Sequence, residues 1–178
     1  MNPESPCPPD RGRLTPSQLT ERIGSEMKSS RHAKICGDFG ESLVLYWLSK
    51  HGFECAAVDH TGIDIIARNK ISGHLMGISV KSRTRIEGTE FSTVDVPAHH
   101  FPKIETACKE FGCSPHIAIV VDAHPLIRAY LMPLSRFLEL CPTKKNSYWK
   151  MNIESIKAYE NDAQIMAFEL NCMKTRGW

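Results

Sequence analysis

The seven residues 116–122, HIAIVVD, constrain the fold more than any other segment. A strand with one solvated face alternates apolar and polar residues, whereas a strand covered on both faces is apolar almost throughout. This run therefore predicts an interior strand with packed layers on both sides. One layer is a predicted helix over residues 34–50, which ends near Gly52. Its segment 43–48, LVLYWL, is apolar on every face, so we expect the helix to be buried on most sides.

The other core elements are short and separated by turn residues. Asn69, Ser72 and Gly73 stand between two β-rich runs and predict a hairpin. In chain order, we expect a helix over 34–50, strands over 54–58, 62–68 and 75–82, a helix over 97–111, and strands over 116–122 and 127–132. This order predicts an α/β protein whose mixed sheet is flanked by helices on both faces.

Two further segments flank this core. Residues 1–30 are rich in proline and poor in large apolar side chains, which is typical of a flexible tail. Residues 134–178 include a predicted helix that starts near Asn152 and a late apolar run whose structure the sequence leaves undetermined. We therefore divide the chain into a tail over 1–30, a core over 31–133, and a C-terminal extension over 134–178 that packs on the core.

The composition excludes several classes of protein. The longest apolar run has six residues, whereas a membrane span needs about 20. The first residues, MNPESPCPPD, lack the basic start and apolar stretch of a secretory signal. Seven cysteines with no CxxC pair are typical of reduced thiols rather than of a disulfide scaffold. We therefore expect a cytoplasmic protein without membrane contact. A net charge of +2 neither demands nor excludes nucleic acid, so local charge must decide.

Glu41 is the first of three places where a polar residue breaks the local pattern. Leu45 and Leu48 follow it on the same face of the predicted helix. A carboxylate above an apolar stripe lies at the edge of the core, where burial is unfavourable without a partner. The alternative is a solvated glutamate in the first turn of the helix, stabilised by the helix dipole.

Asp64 and Lys81 are the other two places. Aspartate is rare inside strands, yet Asp64 stands in the run IDIIA; the alternative is a turn position directly after Gly62. Lys81 shares a strand face with Ser79, and its alternative is an ordinary solvent-facing lysine. A hairpin turn centred on residues 71–72 places Asp64 opposite Ser79, with Lys81 on the same face. The sequence thus predicts a cluster of these residues.

Together these motifs resemble the PD-(D/E)XK nuclease superfamily. The resemblance rests on GDFGE over 37–41, GIDIIAR over 62–68 and ISVKSR over 78–83, and covers about residues 33–133. It is closest to the branch of Holliday-junction resolvases and group I intron-encoded endonucleases. It implies a restriction-endonuclease-like αβββαβ core and Mg²⁺-dependent hydrolysis of DNA phosphodiester bonds, with Mn²⁺ as the alternative ion. Many such nucleases cut as dimers, so a homodimer is one expected assembly.

The resemblance also implies a role for each site residue. Glu41 and Asp64 would hold the metal, and Lys81 would position the attacking water. Ser79 stands where the family has an acid or sometimes glutamine, and a neutral hydroxyl is a poorer Mg²⁺ ligand than a carboxylate. Either the carbonyl of Val80 and a water compensate, or the protein is a DNA-binding module that has lost catalysis.

Local charge supports a phosphate-bearing partner. No acid occurs between Asp64 and Glu87, whereas that interval holds several basic residues. A basic strip of this kind would neutralise phosphates and make DNA binding depend on salt. The alternative is a solvated hairpin tip. The strip consists of Arg68, Lys70, Lys81, Arg83 and Arg85.

Two other interpretations receive less support. A zinc site would need ligands drawn from His99, His100, Cys108, Cys113 and His116, but their spacing is not that of a zinc finger. A small protein–protein adaptor is compatible with the nearly neutral net charge. Metal-dependent nicking of DNA would favour the nuclease. Salt-sensitive binding without cleavage would favour the DNA-binding module, and a protein that neither cleaves nor binds DNA would favour the adaptor.

Overall fold

The structure is a computed structural model that describes residues 29–142 and 145–174. Almost all of the predicted tail over 1–30 lies outside the described residues. The helices are α1 His32–Lys50, α2 Phe101–Phe111, α3 Leu134–Leu140 and α4 Ile153–Glu160. The strands are β1 Phe53–His60, β2 Ile63–Asn69, β3 Leu75–Thr84, β4 Val94–Pro97, β5 Ser114–Ala123, β6 Leu126–Pro133, β7 Asn146–Trp149 and β8 Met166–Asn171.

Six strands form one mixed sheet in the order β1-β2-β3-β5-β6-β8. Strands β3 and β5 run parallel, and their connection passes through β4 and α2; the other neighbours are antiparallel. Ile65 pairs with Ile78, which is the register predicted from the hairpin turn. Continued by one residue, this register sets Asp64 opposite Ser79.

The predicted interior strand is β5, and its side chains alternate between two apolar layers. Ala118 and Val120 belong to the cluster that packs under α1, together with Leu43 and Leu48 of that helix. Ile119 and its neighbours on the other face pack in a second cluster with α2, α3 and α4. A mixed six-stranded sheet with helices on both faces confirms the predicted fold class and is consistent with a restriction-endonuclease-like fold.

Two sequence predictions are wrong in detail. The helix predicted over 97–111 begins only at Phe101, after a 3₁₀ helix at Ala98–His100. Pro97 belongs instead to β4, which pairs with β7 in a small second sheet. Helix α1 is not buried on most sides, since Tyr46 is 61% exposed.

The C-terminal segment contributes strands as well as helices. The undetermined apolar run forms β8, which extends the main sheet beside β6. The helix predicted near Asn152 is α4, and the Asn152 side chain caps it by accepting from the backbone N–H of Ser155. None of the described helices is long and apolar enough to cross a membrane. The division at residue 133 stays a prediction.

Candidate functional site

The hairpin of β2 and β3 brings Asp64, Ser79 and Lys81 into one hydrogen-bonded chain. Ser79 Oγ donates to Asp64 Oδ2 at 3.4 Å, and Lys81 Nζ donates to Ser79 Oγ at 2.9 Å. The backbone N–H of Val80 donates to the same aspartate oxygen at 2.6 Å, and its carbonyl accepts from Lys81 at 3.3 Å. Ser79 is only 2% exposed, so its hydroxyl is a buried link between the acid and the lysine.

Helix α1 brings Glu41 towards this chain because Gly40 allows the helix to lie very close to the sheet. A Cβ at Gly40 would collide with Ser82 Oγ on β3 and would lie 3.6 Å from Cβ of Val120 on β5. The absence of a side chain at this one position therefore sets the height of Glu41 above the sheet.

Glu41 lies in the middle of α1, not in its first turn, because the helix begins at His32. The explanation by the helix dipole therefore does not apply. Burial raises the pKa of Glu41, the negative charges of Asp64 and Asp38 raise it further, and two nearby lysines oppose them. A divalent cation would relieve this unfavourable environment for the charge of Glu41.

Lys81 is also held in an unfavourable environment for its charge. Burial lowers the pKa of the Lys81 ammonium, while Asp64 and, more weakly, Glu41 raise it. Its two hydrogen bonds go to Ser79 and to its own strand. The lysine is therefore ordered beside the acid pair and can place a polar group, such as a water, next to it.

A cavity of about 210 Å³ opens beside these hydrogen-bonded side chains. Asp64, Ser79 and Lys81 line it from β2 and β3, while His100 and Lys103 line it from the 3₁₀ helix and α2. Sequence reasoning missed the last two as site residues. His100 entered only as a zinc candidate, and Lys103 looks like any solvated lysine of an amphipathic helix.

His100 stands among positive charges. Burial lowers the pKa of its imidazole, and Lys81, His99, Lys103 and Arg83 act in the same direction. The neutral form of His100 is therefore favoured, and the side of the cavity around it is electropositive.

Gly62 fixes the distance between the two sides of this cavity. Its φ of +113° is rarely adopted by L residues, and a Cβ there would collide with the backbone carbonyl of Lys103. The loop before β2 thus lies directly against α2.

We expect Gly62→Ala to destabilise the fold by about 2–4 kcal/mol, because backbone strain and a backbone collision add. Gly73→Ala is the matched control, since Gly73 also has a positive φ, +71°, but nothing lies within 4 Å of its Cβ position. Urea unfolding of both variants measures the difference, and equal losses of free energy would contradict a close contact between Gly62 and α2.

The predicted basic strip is divided between two ends of the hairpin. Arg68 lies four positions from Asp64 towards the turn, whereas Arg83 lies four positions from Ser79 in the opposite direction. At about 3.3 Å per residue, this separates the two arginines by about 26 Å along the strands. The five basic residues therefore do not form one continuous surface.

The four residues of the basic strip other than Lys81 also differ in their partners. Lys70 forms an exposed ion pair with Glu54 at 3.1 Å, as expected of a solvated hairpin tip. Arg83 donates to the carbonyl of Asp95 at 3.2 Å. Arg85 donates to the carbonyls of Ser92 and Thr93 and so orders the loop after β3. Arg68 is exposed.

The five residues of the zinc alternative do not come together. Cys108 and Cys113 both lie against Gly77 of β3, whereas His100 lies at the cavity and His116 contacts His74 and Ser114. Among the described residues, no group of three or more His, Cys, Asp or Glu side chains is placed to hold a metal ion.

The donor set of Asp64 and Glu41 nonetheless fits Mg²⁺. This ion is typically held by one or two carboxylates together with waters and substrate phosphate, so a third acidic ligand is not required. Within the described part of the chain, Asp64 Oδ1 takes no hydrogen bond, and Glu41 forms neither a hydrogen bond nor an ion pair. Both carboxylates therefore have oxygens available to a cation.

Comparisons with known proteins find similarity among solved structures. No family model matches the sequence, and no curated protein matches it. Among solved structures, the chain is similar to Hjc of Archaeoglobus fulgidus, described as a Holliday junction resolvase from an archaeal hyperthermophile. The two are 19% identical with a TM-score of 0.45, over 66% of this chain and 91% of that chain. Because identity and TM-score are both low, the function must be argued from the geometry of the site.

Proposed function

We propose that this chain is a metal-dependent nuclease of the PD-(D/E)XK type that hydrolyses DNA phosphodiester bonds. The observation that carries the proposal is the convergence of Asp64, Ser79 and Lys81 in one hydrogen-bonded chain, with Glu41 close enough for its charge to interact with theirs. A Mg²⁺ or Mn²⁺ ion bound there would neutralise charge on a phosphate oxygen and on the attacking water.

The protein's own groups have separate tasks in this reaction. Asp64 and Glu41 would supply the hard oxygen ligands, and the carbonyl of Val80, which also accepts from Lys81, would be a third. Lys81 holds the attacking water and stabilises the charge that develops on the phosphoryl group, because its ammonium is buried beside the acids. Burial also excludes bulk water, which strengthens these interactions.

Ser79 has a different task from the acid that the family places there. Its hydroxyl accepts from Lys81 and donates to Asp64, so it fixes both side chains without adding negative charge. We infer a site with fewer negative charges, and hence weaker metal binding, than one with glutamate at this position.

We expect Ser79→Glu to bind Mg²⁺ or Mn²⁺ about tenfold more tightly, since a second strand carboxylate would lie beside Asp64. Without metal, burial and Asp64 would hold the pKa of the new glutamate above its unfolded value. The variant should then be less stable than wild type, and increasingly so as the pH rises through that pKa. Calorimetric titration and metal-free unfolding measure both effects; Ser79→Gln is the neutral control. Unchanged metal affinity would place Ser79 outside the site.

The alternative is a DNA-binding module on the same fold, and Ser79 in place of an acid is the observation that favours it. Supercoiled plasmid incubated with Mg²⁺, with Mn²⁺ and with EDTA tests the choice. Nicking in the two metal samples alone supports the nuclease; salt-sensitive binding without nicking supports the module. A chain that does neither would fit the adaptor interpretation. Three further assignments stay predictions: a homodimer, a cytoplasmic location, and DNA contacts made by Arg68, Lys70, Arg83 and Arg85.

A further inference from the structure

Lys103 and His100 face the site from the element that packs over the hairpin. They are three residues apart, His100 at the end of the 3₁₀ helix and Lys103 in the first turn of α2. Both line the cavity that Asp64 and Lys81 line from the sheet. The contact between Gly62 and the backbone of Lys103 holds this element against the loop that leads into Asp64.

Lys103 is not neutralised by a carboxylate. Among the described residues it forms no ion pair, and its ammonium is close enough to act on His100 electrostatically. Asp64 lines the cavity from β2 instead, and Glu41 of α1 is close enough for its charge to interact with that of Asp64. Two hydrogen-bond donors, the ammonium of Lys103 and the imidazole of His100, therefore stand on one side of the cavity, and Asp64 stands on the other beside Lys81.

This arrangement fits a ligand whose anionic oxygens contact Lys103 and His100 while another part of the same ligand lies near Asp64. We propose that Lys103 and His100 form the phosphate-binding side of the cavity and hold non-bridging oxygens of a DNA phosphate. The assignment rests on the proposed function, since it takes DNA as the ligand. This phosphate contact is separate from the predicted basic strip and from the hydrogen-bonded residues Asp64, Ser79 and Lys81.

Binding to a DNA duplex in EDTA tests this assignment without requiring cleavage. A cation that contacts phosphate releases counterions, so its loss lowers the slope of log K against log salt by about 0.9. We expect Lys103→Gln to show this decrease between about 50 and 200 mM salt, and Lys103→Arg to restore the wild-type slope. Lys109→Gln is the matched control, because Lys109 is an exposed lysine on the same helix outside the cavity. Fluorescence anisotropy measures all four proteins.

His100 should behave differently in the same assay. Because its neutral form is favoured, its contact to phosphate is a hydrogen bond without counterion release. We expect His100→Ala to weaken binding about fivefold, the loss of one hydrogen bond, with the salt slope unchanged. Circular dichroism confirms that each variant is folded.

The outcomes separate this proposal from the proposed function. Equal slopes for Lys103→Gln and Lys109→Gln would overturn the phosphate assignment, even if metal-dependent nicking is observed. A slope that falls only in Lys103→Gln would support it, even if the chain nicks no DNA. If wild type binds no duplex at low salt, the phosphate assignment is wrong whatever the variants do.

Discussion

Asp64→Asn should abolish metal-dependent cleavage of DNA while leaving the protein folded. The substitution removes the charge that would hold the cation in the proposed site but retains an amide oxygen that can accept from the backbone N–H of Val80, as the carboxylate does at 2.6 Å. Loss of metal-based charge stabilisation is worth several kcal/mol, so we expect cleavage to fall by about 10³-fold or more.

Asp64→Ala separates the catalytic effect from the structural one. It should lose cleavage to the same extent, but it also leaves the N–H of Val80 without its acceptor. We therefore expect its free energy of unfolding to fall by about 1–3 kcal/mol relative to Asp64→Asn, which is the cost of an unsatisfied buried donor. The sequence alone suggests that Asp64→Ala would instead leave the free energy of unfolding unchanged or raise it, because an unpartnered carboxylate in an apolar strand would be destabilising.

Asp59→Asn is the matched control for charge, since Asp59 is an exposed aspartate on the neighbouring strand β1. Plasmid nicking with Mn²⁺ and urea unfolding in EDTA measure the two effects separately. Cleavage by Asp64→Asn at the rate of Asp59→Asn would show that Asp64 does not hold the metal.

The hairpin part of the site could be predicted from the sequence because its contacts are local. A short turn fixes which residues of β2 and β3 face each other, and the two-residue period of strands fixes which side chains share a face. Asp64 and Ser79 are therefore placed by about fifteen residues of chain, and the observed register is the predicted one.

The rest of the site depends on contacts between distant segments. Glu41 reaches the hairpin only because Gly40 packs against Ser82, and no local pattern indicates that contact. Lys103 and His100 reach the cavity through the packing of α2, whose start was misplaced by the prediction. The extended segment before that helix pairs with β7, about fifty residues further along the chain, and such non-local pairing has no signature in a single sequence.

The electrostatics of the site also depend on burial, which periodicity gives only roughly. An isolated lysine in a strand is usually a solvated edge residue, and Lys81 could be read in that way from the sequence. In the structure, burial lowers the pKa of its ammonium, although Asp64 lies close to it. A lysine whose charge is held at an energetic cost beside an acid is a feature of functional sites.

Lys81→Met should therefore change activity and stability in opposite directions. The methionine keeps the length and the apolar stem of the side chain but removes the charge and the hydrogen bond to Ser79. We expect cleavage to fall by about 10²–10⁴-fold, the usual loss when a residue that orients or activates the nucleophile is removed. In EDTA at neutral pH, we expect the variant to be more stable than wild type, since a charge with a lowered pKa is no longer buried.

The pH dependence of that stability difference tests its cause. The folded-state pKa of Lys81 lies below its unfolded value, so between the two values the unfolded wild-type chain binds more protons than the folded one. The free energy of unfolding of wild type should accordingly rise with pH through this interval, relative to that of Lys81→Met, and the advantage of the variant should shrink. Lys109→Met, at an exposed lysine of α2, should show neither the loss of cleavage nor this pH dependence. If Lys81→Met cleaves DNA like the control, the water is positioned by another group. If the stability difference stays constant from neutral pH up to the ordinary lysine pKa of 10.5, the lysine is not desolvated in the folded protein.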